Sequence, residues 1–254
     1  MAMNKVKDRV SEEEWNLREE LSSAYHVFAM LGWTHLIHTH ITVKGPREGE
    51  FLINAFGLLW EEITPESLVK VDANGAVIDQ GSTALGINPA GFKIHSAIHT
   101  SERADKWVMH IHVPEVVAVA SLREGLIRGL STYSMDLGPI SYHSYEHATN
   151  TEVDTCERMV SDFGPSNKVL LLRNHGSITV GKTVHEAFFL TYQMVEACRV
   201  QLHVLSSTKH RDDYITVAQP VVENTYQIVQ DNYTGKSFGK LEWEAARRLA
   251  ESKR

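Results

Sequence analysis

Two histidines one residue apart stand in an otherwise apolar run, "VMHIHVPEV", over residues 108–116. Residues i and i+2 of a β-strand project from the same face, so His110 and His112 would lie side by side while Met109 and Ile111 face away. Neutral imidazoles that lie this close can share a cation, and imidazole is a preferred ligand of zinc and other first-row metals. The spacing indicates a metal site; the alternative is one buried structural histidine beside one exposed histidine.

A third histidine follows a second apolar run, in "LLLRNHGSITV" over residues 170–180. The run predicts two strands within 168–181 joined by a tight Asn174-His175-Gly176 turn. A histidine in such a turn lies at the end of a sheet, where the backbone can direct it inward. His175 is therefore a candidate third ligand, and the alternative is a turn histidine that only caps a strand.

The remaining patterns predict strands and helices in mixed order. Ser11 and Glu14 form a capping box before a helix that ends near Gly32, and Thr183 with Glu186 forms another before a long helix. Further helices are expected over 91–103 and 115–124, and strands over 40–44, 50–54, 68–72, 76–80 and 106–113. These elements favour an α/β fold with helices packed on a mixed sheet. We interpret 1–254 as one domain, with 207–254 as a C-terminal helical tail.

Composition narrows the possible classes of partner. The 254 residues carry a formal net charge of −7, with 43% hydrophobic and 22% charged residues. Without clustered Lys and Arg, nucleic acid is not expected as a partner. We see neither the apolar core of a signal peptide nor a membrane span, and Cys156 with Cys198 gives no disulfide framework. These features predict a soluble cytoplasmic protein with a small-molecule substrate.

The segments around the three histidines resemble a known family. "HSAIHTSERADKWVMHIHVPEVVAVAS" (95–121) and "LLLRNHGSITVGKTVHEAFFLTYQMVEACRVQLHVL" (170–205) are similar to the class II aldolase/adducin family, and the similarity extends over about residues 12 to 206. The resemblance implies that His110, His112 and His175 bind a divalent ion, most often Zn²⁺, with Mn²⁺ or Fe²⁺ as alternatives. It also implies a three-layer αβα sandwich with a mixed, largely antiparallel sheet, assembled as a homotetramer with sites at subunit interfaces.

The sequence departs from the sugar-phosphate enzymes of that family around the substrate. Their general acid/base is a glutamate, and the matching position here is Gly91; the two serines before it correspond to Pro89 and Ala90. The resemblance places the substrate against Asn54, Phe56, Gly57, Ala90 and Gly91. Phosphate binding needs small residues with free N–H and hydroxyl donors, so the phosphate cradle is expected to be absent.

Two residues are candidates for the missing acid/base function. His40 stands in the segment that corresponds to the phosphate loop and could act as a base; the alternative is a solvated loop over 34–40. Tyr133 matches loosely a tyrosine that donates a proton from the neighbouring subunit in the aldolases; the alternative is an ordinary strand residue. The stretch "SYHSYEH" (141–147), with His143 and His147, could line the site or form an exposed loop.

These expectations favour a divalent-metal-dependent lyase that cleaves or forms carbon–carbon bonds in a non-phosphorylated, apolar or aromatic carbonyl substrate. Two alternatives stay open. One is a non-haem Fe(II) oxygenase with an aldolase-like fold, although the usual iron site contains a carboxylate. The other is an adducin-like scaffold without catalysis, which has no evident need for three metal-binding histidines.

Overall fold

The computed structural model describes residues 5–146, 152–233 and 238–253, so His147 lies outside the described residues. Within these ranges the strands are β1 (His40–Lys44), β2 (Glu50–Ile53), β3 (Val69–Asp72), β4 (Val77–Asp79), β5 (Trp107–Ile111), β6 (Ile140–His143), β7 (Val169–Leu172) and β8 (Gly176–Gly181). The helices are α1 (Glu12–Met30), α2 (Pro89–Thr100), α3 (Pro114–Ser121), α4 (Thr132–Met135), α5 (Glu152–Phe163), α6 (Val184–Ser207), α7 (Gln219–Tyr233) and α8 (Lys240–Ser252).

The N-cap residues of the two predicted capping boxes mark the starts of α1 and α6, but the glutamate side chains bind elsewhere, Glu14 to Arg18 and Glu186 to the Lys182 amide. The Ser11 side chain accepts a hydrogen bond from the Glu14 amide, and Thr183 accepts one from the Glu186 amide. Each bond satisfies an N–H group that has no partner within the helix. After α1, Gly32 adopts a φ of +74°, a left-handed conformation that turns the chain away from the helix axis. Both helices therefore begin where the sequence indicated.

The strands form one mixed sheet in the order β4-β3-β2-β1-β5-β8-β7-β6. Among the described residues, β6 and β7 pair in parallel and every other pairing is antiparallel. Helices cover both faces of the sheet. The expected three-layer αβα sandwich with a mixed, largely antiparallel sheet is confirmed.

One face of the sheet carries the buried polar side chains of the candidate site. The strand register places His40 opposite His110, and Thr42 opposite Val108. Because side chains alternate along a strand, His40, Thr42 and His110 project from the same face, and α2 and α5 lie over that face. The site is thus built between the centre of the sheet and two helices.

The opposite face holds the main hydrophobic core. Trp107, Met109 and Ile111 of β5 point into this core, which also contains apolar side chains of α1, α3 and α6. Buried aromatic rings meet edge to face there, with 5.1 Å between the centroids of Phe28 and Trp33. With both of its faces buried and β1 and β8 bonded to its edges, β5 is a rigid support for His110.

The fold differs from the sequence-based expectation at β6, α4 and α5, which were not predicted. Tyr133 lies in the short helix α4, where it is partly buried against the core, and not in a strand. Residues 141–143 are the last three residues of β6 and not a loop, since they pair in register with β7.

The C-terminal segment contains helices α7 and α8. Trp243 of α8 is 4% exposed and its ring centroid lies 5.5 Å from that of Phe188 in α6. α8 also contacts α1, so this helix packs on the layer that covers the main core. In the described part of the chain, none of the helices combines the length and apolar character needed to cross a bilayer.

Candidate metal centre

The first two histidines lie where strand β5 passes into helix α3. His110 is the fourth residue of β5, and His112 follows the strand directly, before Pro114 occupies the first turn of α3. Proline suits this position because its fixed φ matches the helix and the first turn needs no N–H donor there. The two rings face each other as the strand period predicts, with 2.8 Å between their Nε2 atoms.

The third histidine is brought to the pair by the turn between β7 and β8. Asn174 adopts a φ of +58°, and the His175 amide donates a hydrogen bond to the Leu172 carbonyl, 3.1 Å away. A Cβ atom on Gly176 would overlap the Ile111 carbonyl oxygen and lie 2.9 Å from Cδ2 of His112, so this turn requires glycine. The His175 ring centroid consequently lies 4.6 Å from that of His112.

The donor set fits a divalent metal ion. One ligand nitrogen from each of His110, His112 and His175 lies within 4.8 Å of the others. The Ser177 carbonyl accepts a hydrogen bond from Nδ1 of neutral His110 over 2.9 Å, which leaves the lone pair on Nε2 to face the other rings. Zinc–nitrogen bonds of about 2.0–2.1 Å with tetrahedral angles need nitrogens about 3.3 Å apart. The His110 and His112 nitrogens, 2.8 Å apart, would therefore separate slightly, and the set as a whole, which lies within 4.8 Å, needs only small shifts.

Burial keeps the ligand rings neutral, the form that binds metals. It lowers the pKa of His112 to about 3 and holds the pKa of His110 well below its ordinary value, with neighbouring histidines acting in the same direction. Burial also lowers the pKa of His175. Three neutral imidazoles leave a tetrahedral ion one open coordination position, as a catalytic site requires.

His35 is a supporting residue that the sequence reasoning missed. Its Nδ1 lies 3.0 Å from Nδ1 of His112, so a hydrogen bond joins the two rings on the side away from the ligand nitrogen. Such a bond fixes the tautomer and orientation of a ligand histidine. A second exposed histidine, His38, lies beside His35, with 5.3 Å between the centroids of the two tilted rings.

We expect His35→Ala to weaken metal binding without abolishing it. Losing a supporting partner of a ligand typically costs about 10- to 100-fold in metal affinity. Titration with zinc followed by calorimetry measures the change. His38→Ala is the matched control, since His38 lies on the same loop without a hydrogen bond to His112. Equal affinities for the wild type and His35→Ala would contradict the supporting role.

His40 occupies the space beside the glycine that replaces the family glutamate. It is the first residue of β1, opposite His110, and only 4% exposed, so it does not lie in a solvated loop. A Cβ atom on Gly91 would overlap Nε2 of His40 and lie 2.6 Å from its Cδ2. The imidazole thus fills the volume into which a longer side chain at 91 would extend.

The other predicted substrate residues are divided between the site and its surroundings. Asn54 is buried, and its Oδ1 accepts a hydrogen bond from the Tyr25 hydroxyl over 2.8 Å. Phe56 donates its amide to the Gly86 carbonyl, and Gly57 has a φ of +118° on the surface. Ala90 lies nearer the centre, in the wall of the cavity that reaches His175.

This cavity, of about 390 Å³, opens between α2, α5 and the ends of β6 and β7. Apolar groups contribute much of its wall, and His143 is held in the wall by Asp162, with 2.7 Å between Nδ1 and Oδ2. Sequence reasoning missed the wall that α5 contributes, with Thr155, Cys156 and Met159, because α5 was not predicted. The remaining lining includes Ile94, Tyr145, Leu172 and Arg173.

Tyr133 is not brought to the histidines of its own chain. Helix α4 contacts α6 and α7, which lie on the side of the sheet opposite α2. If Tyr133 acts in catalysis, it must therefore act in the site of a neighbouring subunit.

Comparison with protein families gives one match over most of the chain. Residues 19–202 match the model described as Class II Aldolase and Adducin N-terminal domain. A putative aldolase class 2 protein from Caulobacter vibrioides is 42% identical over 203 residues, which cover 79% of this chain and 77% of that protein. Alpha-adducin from Rattus norvegicus is 40% identical over 200 residues, or 78% of this chain, but the match spans only 27% of the adducin.

Solved structures show the same fold. An aldolase II superfamily protein from Pseudomonas syringae superposes with a TM-score of 0.89 at 35% identity, covering 98% of both chains. The L-fuculose 1-phosphate aldolase from Glaciozyma antarctica PI12 has a TM-score of 0.79 at 26% identity, covering 95% of this chain and 90% of that one. The likeness includes the whole sheet and the helices on both faces.

Proposed function

The chain belongs to the class II aldolase and adducin family, and on this basis we propose that it is a divalent-metal-dependent lyase that cleaves or forms a carbon–carbon bond next to a carbonyl group. The substrate we propose is not phosphorylated and carries an apolar or aromatic group. Zinc is the ion we expect in the site. We further propose that the chain forms a homotetramer in the cytoplasm. In this assembly Tyr133 acts in the site of a neighbouring subunit.

One observation carries the lyase proposal. His110, His112 and His175 direct neutral nitrogens to one point, and His175 also forms part of the wall of the cavity beside it. A divalent ion held by these three rings would polarise a substrate carbonyl and stabilise the negative charge that develops when the bond breaks. A substrate in the cavity would have its carbonyl at the ligand end and its other groups between α2 and α5.

The cavity wall supports a substrate without a phosphate group. Ala90 has no side-chain donor, and Ile94, Met159 and Leu172 present hydrocarbon. The Arg173 guanidinium is held by the carbonyl oxygens of Ala120 and Leu122, at 3.1 and 2.6 Å, and covers the Tyr142 ring. Both bonds use Nη1, so Nε and Nη2 keep their N–H donors, and Lys93 and Glu146 add charged groups to the wall. The apolar groups nevertheless form the larger part of the lining and match a hydrophobic substrate.

His40 is the residue we propose to contact the reacting part of the substrate. It replaces the family carboxylate in space, because its Nε2 reaches the volume beside Gly91. Its strand register with His110 keeps it next to a ligand, with 5.1 Å between the two ring centroids. Ala90, the neighbour of Gly91, lines the cavity, so a substrate held there would lie near this point.

Metal analysis joined to a cleavage assay tests the proposal. Protein prepared without added metal is expected to contain zinc or manganese near one ion per chain, and to cleave β-hydroxy ketones that bear an aryl group. The phosphorylated control is L-fuculose 1-phosphate, the compound named for one structural relative; we expect no cleavage of it. Rapid cleavage of the phosphorylated sugar with none of the aryl ketones would contradict the substrate class.

We expect metal removal to lower both activity and stability. A ligand that binds only the folded chain stabilises it by about 4 kcal/mol when present at about a thousand times its dissociation constant. Dialysis against a chelator should therefore lower the melting temperature, and added zinc should restore both the melting temperature and cleavage. The melting temperature is measured by calorimetry at fixed protein concentration. An unchanged melting temperature with full activity after chelation would contradict a metal-dependent lyase.

A scaffold function is a second candidate, favoured by the 40% identity to alpha-adducin. The chain spans about a quarter of the length of that protein, 27%, so whatever the adducin does as a whole need not apply here. A scaffold predicts no bound metal under gentle purification. Iron with oxygen uptake would instead indicate the oxygenase, although the three ligands found among the described residues include no carboxylate.

A further inference from the structure

A chain of hydrogen bonds runs from His40 into the buried interface between the sheet and α2. Nδ1 of His40 lies 2.8 Å from Nε2 of His95, and Nδ1 of His95 lies 2.6 Å from the Thr42 hydroxyl. That hydroxyl lies 2.7 Å from Nε2 of His99. His95 and His99 are one helical turn apart on α2, which places both rings above Thr42.

The three rings of this chain are neutral, so each carries one proton on nitrogen. All three side chains are buried, with exposed fractions of 4% for His40, 0% for His95 and 4% for His99, and their partners within the chain are uncharged. Each of the three short contacts contains one hydrogen, and the Thr42 hydroxyl can donate only once. Two arrangements satisfy these conditions: all three histidines carry the proton on Nε2, or all three carry it on Nδ1.

The far end of the chain distinguishes the two arrangements. Nδ1 of His99 is buried and has no hydrogen-bond partner in the described part of the chain. A proton on Nδ1 would leave a buried N–H donor unpaired, which is rarer in proteins than an unpaired acceptor. The ring of Phe51 stacks on one face of His99, with 4.9 Å between the two centroids. The Lys44 ammonium, which also lowers the pKa of His99, disfavours a further proton on the ring.

We propose that His40 presents an N–H group, and not a lone pair, to the substrate site, because the chain through His95, Thr42 and His99 fixes its proton on Nε2. The inference rests on the proposed function for the identity of the reaction. His40 then replaces the family carboxylate in space but not in chemistry, since a neutral imidazole with its proton on Nε2 has no basic nitrogen facing the substrate.

The role that follows is hydrogen-bond donation to a developing oxyanion. Nε2 of His40 points to Gly91, and neighbouring Ala90 lines the cavity that reaches His175. A preorganised donor aimed at a substrate oxygen stabilises negative charge in the transition state without itself losing a proton. Neutral histidines serve in this way in other enzymes. Thr42 and His99 are positioning residues, because they act on the substrate only through His95 and His40.

Nitrogen-15 NMR of histidine-labelled protein tests the inference directly. Long-range proton–nitrogen correlations distinguish a ring with its proton on Nε2 from a ring with its proton on Nδ1. We expect the Nε2–H form for His40, His95 and His99, in zinc-loaded and in chelator-treated protein. Since the three rings share one polarity, assigning any one of them by a single histidine-to-glutamine variant decides the result. Where a large assembly broadens the signals, neutron diffraction after exchange into D₂O locates the same protons.

The Nδ1–H form at His40 would overturn the inference, whatever reaction the protein catalyses. Absence of metal or of cleavage would instead overturn the proposed function and leave the tautomer measurement intact. The two failures are therefore distinguishable.

A pair of isosteric substitutions gives a second test, through kcat. His40→Gln keeps an N–H donor, whereas His40→Glu supplies a carboxylate base of the same length. Losing one oxyanion donor typically lowers kcat by about 10²- to 10³-fold. We expect His40→Glu to show that full loss and His40→Gln to retain more activity, with little change in KM for either. Greater activity in His40→Glu than in His40→Gln would overturn the donor role.

Discussion

His110→Ala is expected to abolish metal binding while the sheet stays folded. His110 supplies one of the three nitrogens of the set, and its ring is close to both His112 and His175, at centroid distances of 4.6 and 5.0 Å. Losing a ligand should cost more than the roughly 10- to 100-fold that follows the loss of a supporting partner. Strand β5 keeps its backbone hydrogen bonds to β1 and β8 after the substitution. Elemental analysis of the purified protein and zinc titration measure the loss.

The control for this substitution is His203→Ala. His203 is an exposed histidine on α6, so its removal changes the histidine count without affecting the site. His112→Ala and His175→Ala should reproduce the loss seen with His110→Ala, because each removes one of three equivalent nitrogens. Normal metal occupancy in folded His110→Ala protein would show that the ligands are other residues.

The placement of the histidine trio could be predicted in part from the sequence, because local rules determine the direction of each side chain. The period of a strand places His110 and His112 on one face, and the Asn174-His175-Gly176 turn must reverse the chain at the end of a buried strand. The meeting of strand and turn depends on the pairing of β5 with β8, which the structure shows. From the sequence, His175 was joined to the other two histidines only through the family resemblance. His35 had no such signal. Its loop reaches His112 only through the tertiary fold.

Strand β6 was not predicted from the sequence, and its contacts with α5 explain why. In β6 the residues that face α5 are Ser141 and His143, both buried but polar. Ser141 donates a hydrogen bond to the Phe163 carbonyl and His143 pairs with Asp162, so α5 covers the strand through polar contacts. Only Ile140 and Tyr142 supply apolar residues in alternation, which is too short a run to indicate a strand. The central strands, which carry longer apolar runs, were predicted to within one or two residues.

Gly91 and His40 are related in space, although a position-by-position comparison with the family sequence pattern does not reveal it. Set beside the family pattern, it is a lost carboxylate, and His40 is an unrelated change in another segment. In three dimensions the two positions touch, because β1 lies directly beneath the first turn of α2. The histidine ring takes the room that the glycine leaves. The two substitutions are thus parts of one rearrangement, a relation that becomes visible only when strand β1 and helix α2 are packed together.

Gly91→Ala is accordingly expected to destabilise the protein, although alanine is ordinarily the better helix former. The exchange favours a helix by about 0.5–1 kcal/mol where space is open. Here the added methyl group would overlap His40, whose ring is held by its hydrogen bond to His95 and cannot swing aside freely. Overpacking of this kind costs about 1–3 kcal/mol. Denaturant unfolding of the wild type and Gly91→Ala measures the free energy difference.

The sign of the effect should reverse when His40 is removed. In a His40→Ala background the space beside position 91 is open, so Gly91→Ala should be neutral or stabilise the chain by up to about 1 kcal/mol. The unsatisfied Nε2 of His95 is present in both His40→Ala proteins and cancels from the comparison. The double-mutant cycle then yields a coupling energy of about 1–3 kcal/mol between positions 40 and 91. Equal destabilisation by Gly91→Ala in both backgrounds would mean that the glycine is needed for some other reason than to accommodate the His40 ring. By the same reasoning, Gly91→Glu alone cannot restore the family carboxylate, because its side chain would have to enter the volume that His40 fills.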